Sequence, residues 1–416
     1  MRFFTFSLVT LMAAATAVTL YEEPAHACGG CFVPPSEETA VNSHRMVISL
    51  GLEQTILWDQ IIYSGEPADF VWVLPVPTPD VAIEVTDGEF FDDLDRQTAP
   101  TIQAVSPPPS CPTAQSAGSG CAAEDAQLYP GGGGPSDGVT VYDHGVVGPY
   151  ETLTIGAEDP NGLYTWLTDN GYNVAQEAVP AMEYYIGLEH AFVVLRLQPD
   201  VGVDAMQPVR IRYPGFMGTF PLKMVVVGAQ GVLDLALWIV AEQRYEAMNY
   251  GTLRIDENDL AWDWDTNTSN YNQVFDDLVA GPEGLSRAWV AEFADALDNL
   301  YLQDDENLDL IRFDIPAPYV TRLRTRMLVD NINEDMILAP AEDPGSISNF
   351  LFAYQNINYP ELNCNNAAGG DNSVYCRLGN GSGKDAAFLG LVMIFGLFIV
   401  FRLPRRRRRT RATRAD

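Results

Sequence analysis

The chain has 416 residues, with 56 Asp and Glu against 24 Lys and Arg and a formal net charge of −32. That excess repels phosphate backbones and anionic headgroups, which argues against nucleic acid as a partner. A hydrophobic content of 47% is enough for packed cores and excludes a globally disordered chain.

The first segment reads as an export signal over residues 1–27. Arg2 precedes an apolar stretch from Phe3 to Leu20, and Ala25-His26-Ala27 gives a small-x-small cleavage pattern before Cys28. Lipidation of Cys28 normally wants a Leu-like residue three before the cysteine, and Ala25 stands there.

An exported domain is expected over 28–339. It opens with alternating, strand-like runs at Arg45–Leu50, Gln54–Tyr63 and Asp69–Leu74, the last ended by Pro75, Pro77 and Pro79. Residues 87–104 carry the spacing of a short amphipathic helix. A Pro/Gly-rich loop follows over 105–138, with four consecutive glycines at 131–134. Strands are expected again at Val139–Tyr142 and Tyr150–Ile155. Asp159-Pro160 then starts a helix over Leu163–Asn170, stopped by Gly171. A second helix is expected over 177–188, then strands at 191–198, 207–213, 221–228 and 231–241. Acidic amphipathic helices are expected at 271–279 and 286–300. Together these elements predict an α+β fold with a mostly antiparallel β-sheet and several amphipathic helices.

Residues 340–384, rich in Asn, Gly and Ser, read as a juxtamembrane stalk. A transmembrane helix is expected over 385–403, because Ala386–Phe401 holds no charge and no proline. At about 1.5 Å per residue those sixteen residues span about 24 Å, short of a ~30 Å hydrocarbon core. Lys384 and Arg402 can snorkel to make up the difference. The tail, 404–416, includes an unbroken run from Arg405 to Arg409, which places it on the cytoplasmic side. These ends describe a single-pass cell-envelope or surface protein with its N-terminus outside. Between them, 15 basic residues stand against 53 acidic ones, a net charge near −38. The C-terminal pattern also resembles bacterial sorting signals in which a small-residue motif, one helix and an Arg cluster are cleaved by a membrane protease. Gly379–Gly383 would be the small-residue motif.

Six cysteines lie beyond the signal, an even number for an oxidising compartment. They form near pairs, Cys28 with Cys31, Cys111 with Cys121 and Cys364 with Cys376, and that connectivity is expected among the 15 that six cysteines allow. Cys28-Gly29-Gly30-Cys31 has redox spacing but lacks the strand before it and the helix after it.

In order, Ala27-Cys28-Gly29-Gly30, Asp69–Pro77 (DFVWVLPVP), Val146–Tyr150 (VVGPY), Trp166–Tyr172 (WLTDNGY) and Gln207–Tyr213 (QPVRIRY) give the chain a familiar outline. It resembles the bacterial domain of unknown function 2330 over roughly residues 27–330. The resemblance implies an exported, surface-associated protein and supplies no activity, cofactor or catalytic residue.

Three chemistries stand against plain alternatives. Asp263, Asp265, Asp256 and Asp259 are hard oxygen donors close in sequence and are the candidate ligands for Ca2+. Asp263–Asn267 opens like an EF-hand loop but has Thr268 where Gly is needed and Val274 where Glu is needed, so an EF-hand is excluded and a solvated acidic face is the plainer reading. Asp304, Asp305, Glu306 and Asp309 form a second acidic cluster. A hydrolase needs a nucleophile, a base and an orienter. No G-x-S-x-G elbow is present, and of His44, His144 and His190 only His144, beside Asp143, is suggestive. Gly381–Lys384 looks like a phosphate loop, but Asp385 replaces its Ser/Thr. Trp262 and Trp264, flanked by acids, are the candidates for an exposed binding surface. Non-catalytic binding or scaffolding in the envelope, with an envelope or surface partner, is the expected function. An exported hydrolase and a divalent-cation-dependent adhesion module are the alternatives.

Overall fold

The computed structural model describes residues 31–32, 40–64, 71–105 and 139–359, apart from 173, 175, 200, 202–204, 228, 230 and 282–286. The expected signal peptide, five of the six cysteines, most of the Pro/Gly-rich loop and the apolar C-terminal segment lie outside the described residues.

In chain order the strands are β1 (Cys31–Phe32), β2 (Ala40–Leu50), β3 (Gln54–Ser64), β4 (Val71–Val76) and β5 (Ala82–Val85), followed by helix α1 (Glu89–Thr98) and β6 (Thr101–Ala104). Then come β7 (Val139–Val147), β8 (Tyr150–Ala157), α2 (Pro160–Asp169), α3 (Val179–Gly187), β9 (Ala191–Leu197), β10 (Val209–Pro214), β11 (Thr219–Phe220) and α4 (Leu222–Val225). The last third holds β12 (Val232–Ala241), β13 (Tyr245–Ala247), β14 (Thr252–Leu253), β15 (Ala261–Asp263), β16 (Thr268–Ser269), α5 (Tyr271–Ala280) and β17 (Trp289–Ala296). It ends with α6 (Asp305–Asp314), β18 (Tyr319–Leu328), β19 (Met336–Pro340), β20 (Phe350–Ala353) and β21 (Gln355–Ile357).

Two sheets carry the architecture. One runs β14-β17-β18-β12-β2-β3-β10-β5, the other β1-β4-β9-β8-β7. Most neighbours are antiparallel, but β2 pairs with β12, and β14 with β17, in parallel. Strand alternation gives each sheet two apolar faces. Met46, Ile48, Leu57, Leu235 and Leu237 of the first sheet meet Trp72, Leu74, Val193 and Leu195 of the second in the central core. On the outer face of the smaller sheet, Val73, Val194 and Ile155 pack on Leu163 and Leu167 of α2 and Met182 and Tyr185 of α3. On the outer face of the larger one, Trp58 and Trp238 pack on Phe90, Phe91 and Leu94 of α1 and Leu308 and Ile311 of α6. The result is a mixed α+β fold of four layers, helix, sheet, sheet, helix.

Local chemistry sets the helix ends. Asp159 accepts from Gly162 N–H at 2.5 Å and Pro160 stands at the first helical position of α2. Gly171, at φ +80°, ends it in a conformation that L side chains avoid. Asp304 caps α6 by accepting from Asn307 N–H.

Four expectations are corrected. The helix expected over 87–104 ends at Thr98, because Ala99 precedes Pro100 and is extended, and 101–104 is strand. The strand expected at 221–228 is the short helix α4, entered from Pro221. The helix expected at 286–300 is β17, buried between cores. The first part of the expected stalk is folded, since β20 pairs in parallel with β6 and β21 with β15.

Candidate functional site

β15 and β21 lie side by side, with Trp262 opposite Asn356 and Asp263 opposite Ile357. The register carries Trp264 to the end of the ladder, where its N–H donates to Ile357 O at 3.1 Å and its indole N–H to Asn356 Oδ1 at 2.9 Å. Trp264 then meets Trp262 edge-on at 6.2 Å and Tyr359 edge-on at 5.7 Å between ring centroids. Next to them β20 presents Phe350, 54% exposed, and Phe352, 41% exposed, while Ala353 is buried. Tyr354 (54%) and Tyr359 (45%) continue this open aromatic surface. Large apolar side chains gathered in water mark an interaction surface more often than isolated ones do.

The candidate metal ligands frame this surface. Asp256 Oδ1 accepts from Asn258 N–H at 2.9 Å and so caps the short turn 257–259 beside β20. Glu257 Oε1 accepts from Phe352 N–H at 3.3 Å. Asp263 Oδ1 accepts from Asp265 N–H at 2.9 Å and from the Asn358 amide at 3.2 Å. Those hydrogen bonds, the Asp265 one first, hold the Asp263 carboxyl below its ordinary range. Among the described residues no three His, Cys, Asp or Glu converge as a metal-holding group. Asp304 of the second acidic cluster accepts from Asn307, and Glu306 pairs with Arg210.

The segments that carry the sequence resemblance meet elsewhere. Trp72, Tyr150 and Gln207-Pro208 line one cleft together with Asp59, Gln60, Ile61 and Met206. Its volume is about 50 Å³, room for about three waters at roughly 15 Å³ each. The Tyr150 hydroxyl donates to Gln207 O at 2.7 Å and accepts from Gln207 N–H at 3.1 Å, which ties the VVGPY and QPVRIRY segments together. Gly148 in the first of them sits at φ +53°, and a Cβ there would lie 2.7 Å from Val85 Cγ1.

His44 lies behind this cleft, with Nε2 2.7 Å from Asp59 Oδ1 and its ring 6.5 Å from Trp72. The approach has ion-pair distance without hydrogen-bond angles, so both Asp59 oxygens lack a directed donor. Burial raises the Asp59 carboxyl above its ordinary range, and the charge of His44 offsets part of that rise. The sequence carried a signal for this pair. His44 shares the inward phase of Met46, Ile48 and Leu50, and Asp59 that of Leu57 and Ile61. Polar residues at two inward positions of adjacent strands predict a buried pair.

The other histidines are apart from it. His144 Nε2 lies 3.2 Å from Glu151 Oε1, and Arg196 grips the other oxygen of Glu151. His190 contacts Leu188 O at 3.1 Å and the Tyr185 ring.

A family model described as "Uncharacterized protein conserved in bacteria (DUF2330)" matches residues 23–339. The chain belongs to this family. No curated protein and no solved structure matches. The DUF2330 match ends at 339, so the aromatic strands β20 and β21 lie beyond it while the Asp59 cleft lies within it.

Proposed function

We propose that this DUF2330 protein is exported, anchored through Ala386–Phe401, and acts in the envelope by binding a partner. The observation that carries the reading is the aromatic surface of half-buried Trp264 and exposed Phe352, Tyr354 and Tyr359, at the end of the described residues. Keeping such rings in water forgoes roughly 25 cal/mol for each Å² of apolar area that a partner would cover. A hydrolase has less support. The cleft offers a buried carboxylate with a histidine behind it, but its lining holds no Ser, Thr or Cys, and its one phenol is held by the Gln207 backbone. Among the described residues no helix is long and apolar enough to cross a membrane. The anchor reading therefore rests on Ala386–Phe401 and the Arg405–Arg409 run, which lie outside them.

Topology tests it. In the full chain, protease added after the outer layer is permeabilised removes the folded part and spares a tag after Asp416. A periplasm-dependent reporter active after Asp416, or a folded part protected from protease, contradicts the proposal. Export also pairs Cys111 with Cys121 and Cys364 with Cys376, and mass spectrometry without reduction finds those links. Free thiols at all four positions would contradict that pairing.

A further inference from the structure

Six of the described arginines share one repeated unit, an aromatic face beneath the guanidinium and a carboxylate at its edge. Arg196 lies 4.5 Å from the Tyr172 ring centre and bonds Glu151. Arg287 lies 4.6 Å from Tyr250 and bonds Glu334. Arg322 lies 4.9 Å from Trp238 and bonds Glu292 and Asp95, and Arg324 lies 4.9 Å from Phe275 and bonds Asp234. Every described arginine, from Arg45 to Arg326, is in an ion pair with a described acid. Lys223 is also committed, over the Tyr184 ring at 4.3 Å and donating to Asn333 O.

The aromatic surface of β15, β20 and β21 has two parts of that unit and lacks the third. Half-buried Trp264 and exposed Tyr359 supply the rings, and Asp263, Asp265, Asp256 and Glu257, on the segments that bear this surface, have no cation partner among the described residues. Asp265 N–H and the Asn358 amide both donate to the Asp263 carboxylate and fix its orientation. Resting on the binding reading above, we infer that this surface takes an arginine-bearing cationic segment of a partner protein. Guanidinium groups stack on aromatic rings and bond carboxylates in the same pose, which ammonium groups do less well. An anionic lipid surface is repelled by the acidic frame. The described surface of a second copy has no uncommitted arginine to offer.

The test uses the full chain in zwitterionic nanodiscs, which keep the Arg405–Arg409 run across the bilayer, and fluorescent nona-arginine, nona-lysine and nona-glutamate as probes. Nona-arginine binds at least fivefold more tightly than nona-lysine, and nona-glutamate does not bind. Trp264→Ala with Tyr359→Ala weakens nona-arginine about tenfold, as does Asp263→Asn with Asp265→Asn. The second pair keeps the side-chain shape, and its unchanged melting temperature excludes unfolding. Glu177→Gln with Glu183→Gln, which removes two exposed charges elsewhere, leaves binding within twofold. Equal losses from both charge pairs would mean diffuse attraction and overturn the inference. So would absent arginine binding, or ring-dependent binding of a neutral oligosaccharide or an anionic vesicle in its place, or ring-dependent self-association. If topology holds and the peptide fails, the partner class is wrong; if topology fails, the exported binding reading itself falls.

Discussion

His44 Nε2 and Asp59 Oδ1 are 2.7 Å apart between the two sheets, with both side chains 1% exposed. Burial raises the Asp59 pKa above its unfolded value, so over the window between those two values the folded state holds more protons than the unfolded one. Stability from this group is therefore lost as pH rises upward from about 4. Asp59→Asn lacks that loss. Its stability relative to the parent, from denaturant unfolding, rises with pH from about 4 upward. A difference that stays flat between pH 4 and 8 contradicts the assignment.

Glu292 is the extra residue of a bulge between β17 and β18, since the register shifts between Ala291 and Phe293. Its fully buried carboxylate accepts from Arg322 Nε at 2.7 Å and from the Tyr271 hydroxyl at 2.6 Å. Glu292→Ala leaves Arg322 to Asp95 and the Thr98 hydroxyl and removes the acceptor of the Tyr271 hydroxyl. The expected loss is about 3 kcal/mol in urea unfolding, in the range for breaking a buried pair. Arg322→Met with Glu292→Leu recovers part of it. A single-variant loss below about 1 kcal/mol would show that Asp95, Thr98 and water suffice.

That bulge also explains what the sequence concealed. An extra residue in β17 breaks the period of two, so Trp289, Phe293 and Ala296 fall at helical spacing and the acids between them look like a solvated face. β18 hid for a related reason. Arg322, Arg324 and Arg326 alternate with Thr321, Leu323 and Thr325, and only the acids on neighbouring elements make burying them tolerable. α6 reads in the sequence as an acidic cluster because its cap, Asp304, and the acids Asp305 and Glu306 crowd its first turn. Strands β2, β3, β4, β9 and β12 were legible, because each carries apolar residues toward two cores, and β8 and β10 because core residues alternate with Thr152 and Thr154 or with Arg210 and Arg212. Of the aromatic surface, Trp262 and Trp264 stood out by their acidic flanks. Phe350 to Tyr359 did not, because their Asn-rich surroundings read as a stalk.

Gly148 makes the VVGPY turn possible. Its φ of +53° and the 2.7 Å approach of Val85 Cγ1 to an added Cβ both oppose a side chain. Gly148→Ala costs about 2 kcal/mol, from strain and overpacking together. It also loosens the Tyr150–Gln207 tie, so amide exchange at Gln207, which donates to Tyr150, speeds up more than amide exchange in β12. An unchanged stability would mean the turn can rotate without moving the cleft.

Calcium separates the cation-dependent adhesion reading from the binding one. A Ca2+ site needs six to eight oxygens, and Asp256 and Asp263 already use an oxygen each on turn amides. Melting is expected to rise no further in millimolar calcium than in sodium chloride of equal ionic strength. An excess that Asp263→Asn with Asp265→Asn removes would establish the site, and a hundredfold excess over Kd would correspond to about 2.7 kcal/mol.

Binding through the aromatic surface is tested most directly in the intact envelope. A photo-crosslinking residue at position 264 of the full chain is compared with one at position 142, an exposed site on β7. Position 264 gives a discrete adduct to an exported protein, the linked peptide carries arginines, and Asp263→Asn with Asp265→Asn removes it. The same adducts from both positions, or none from position 264, would contradict the account.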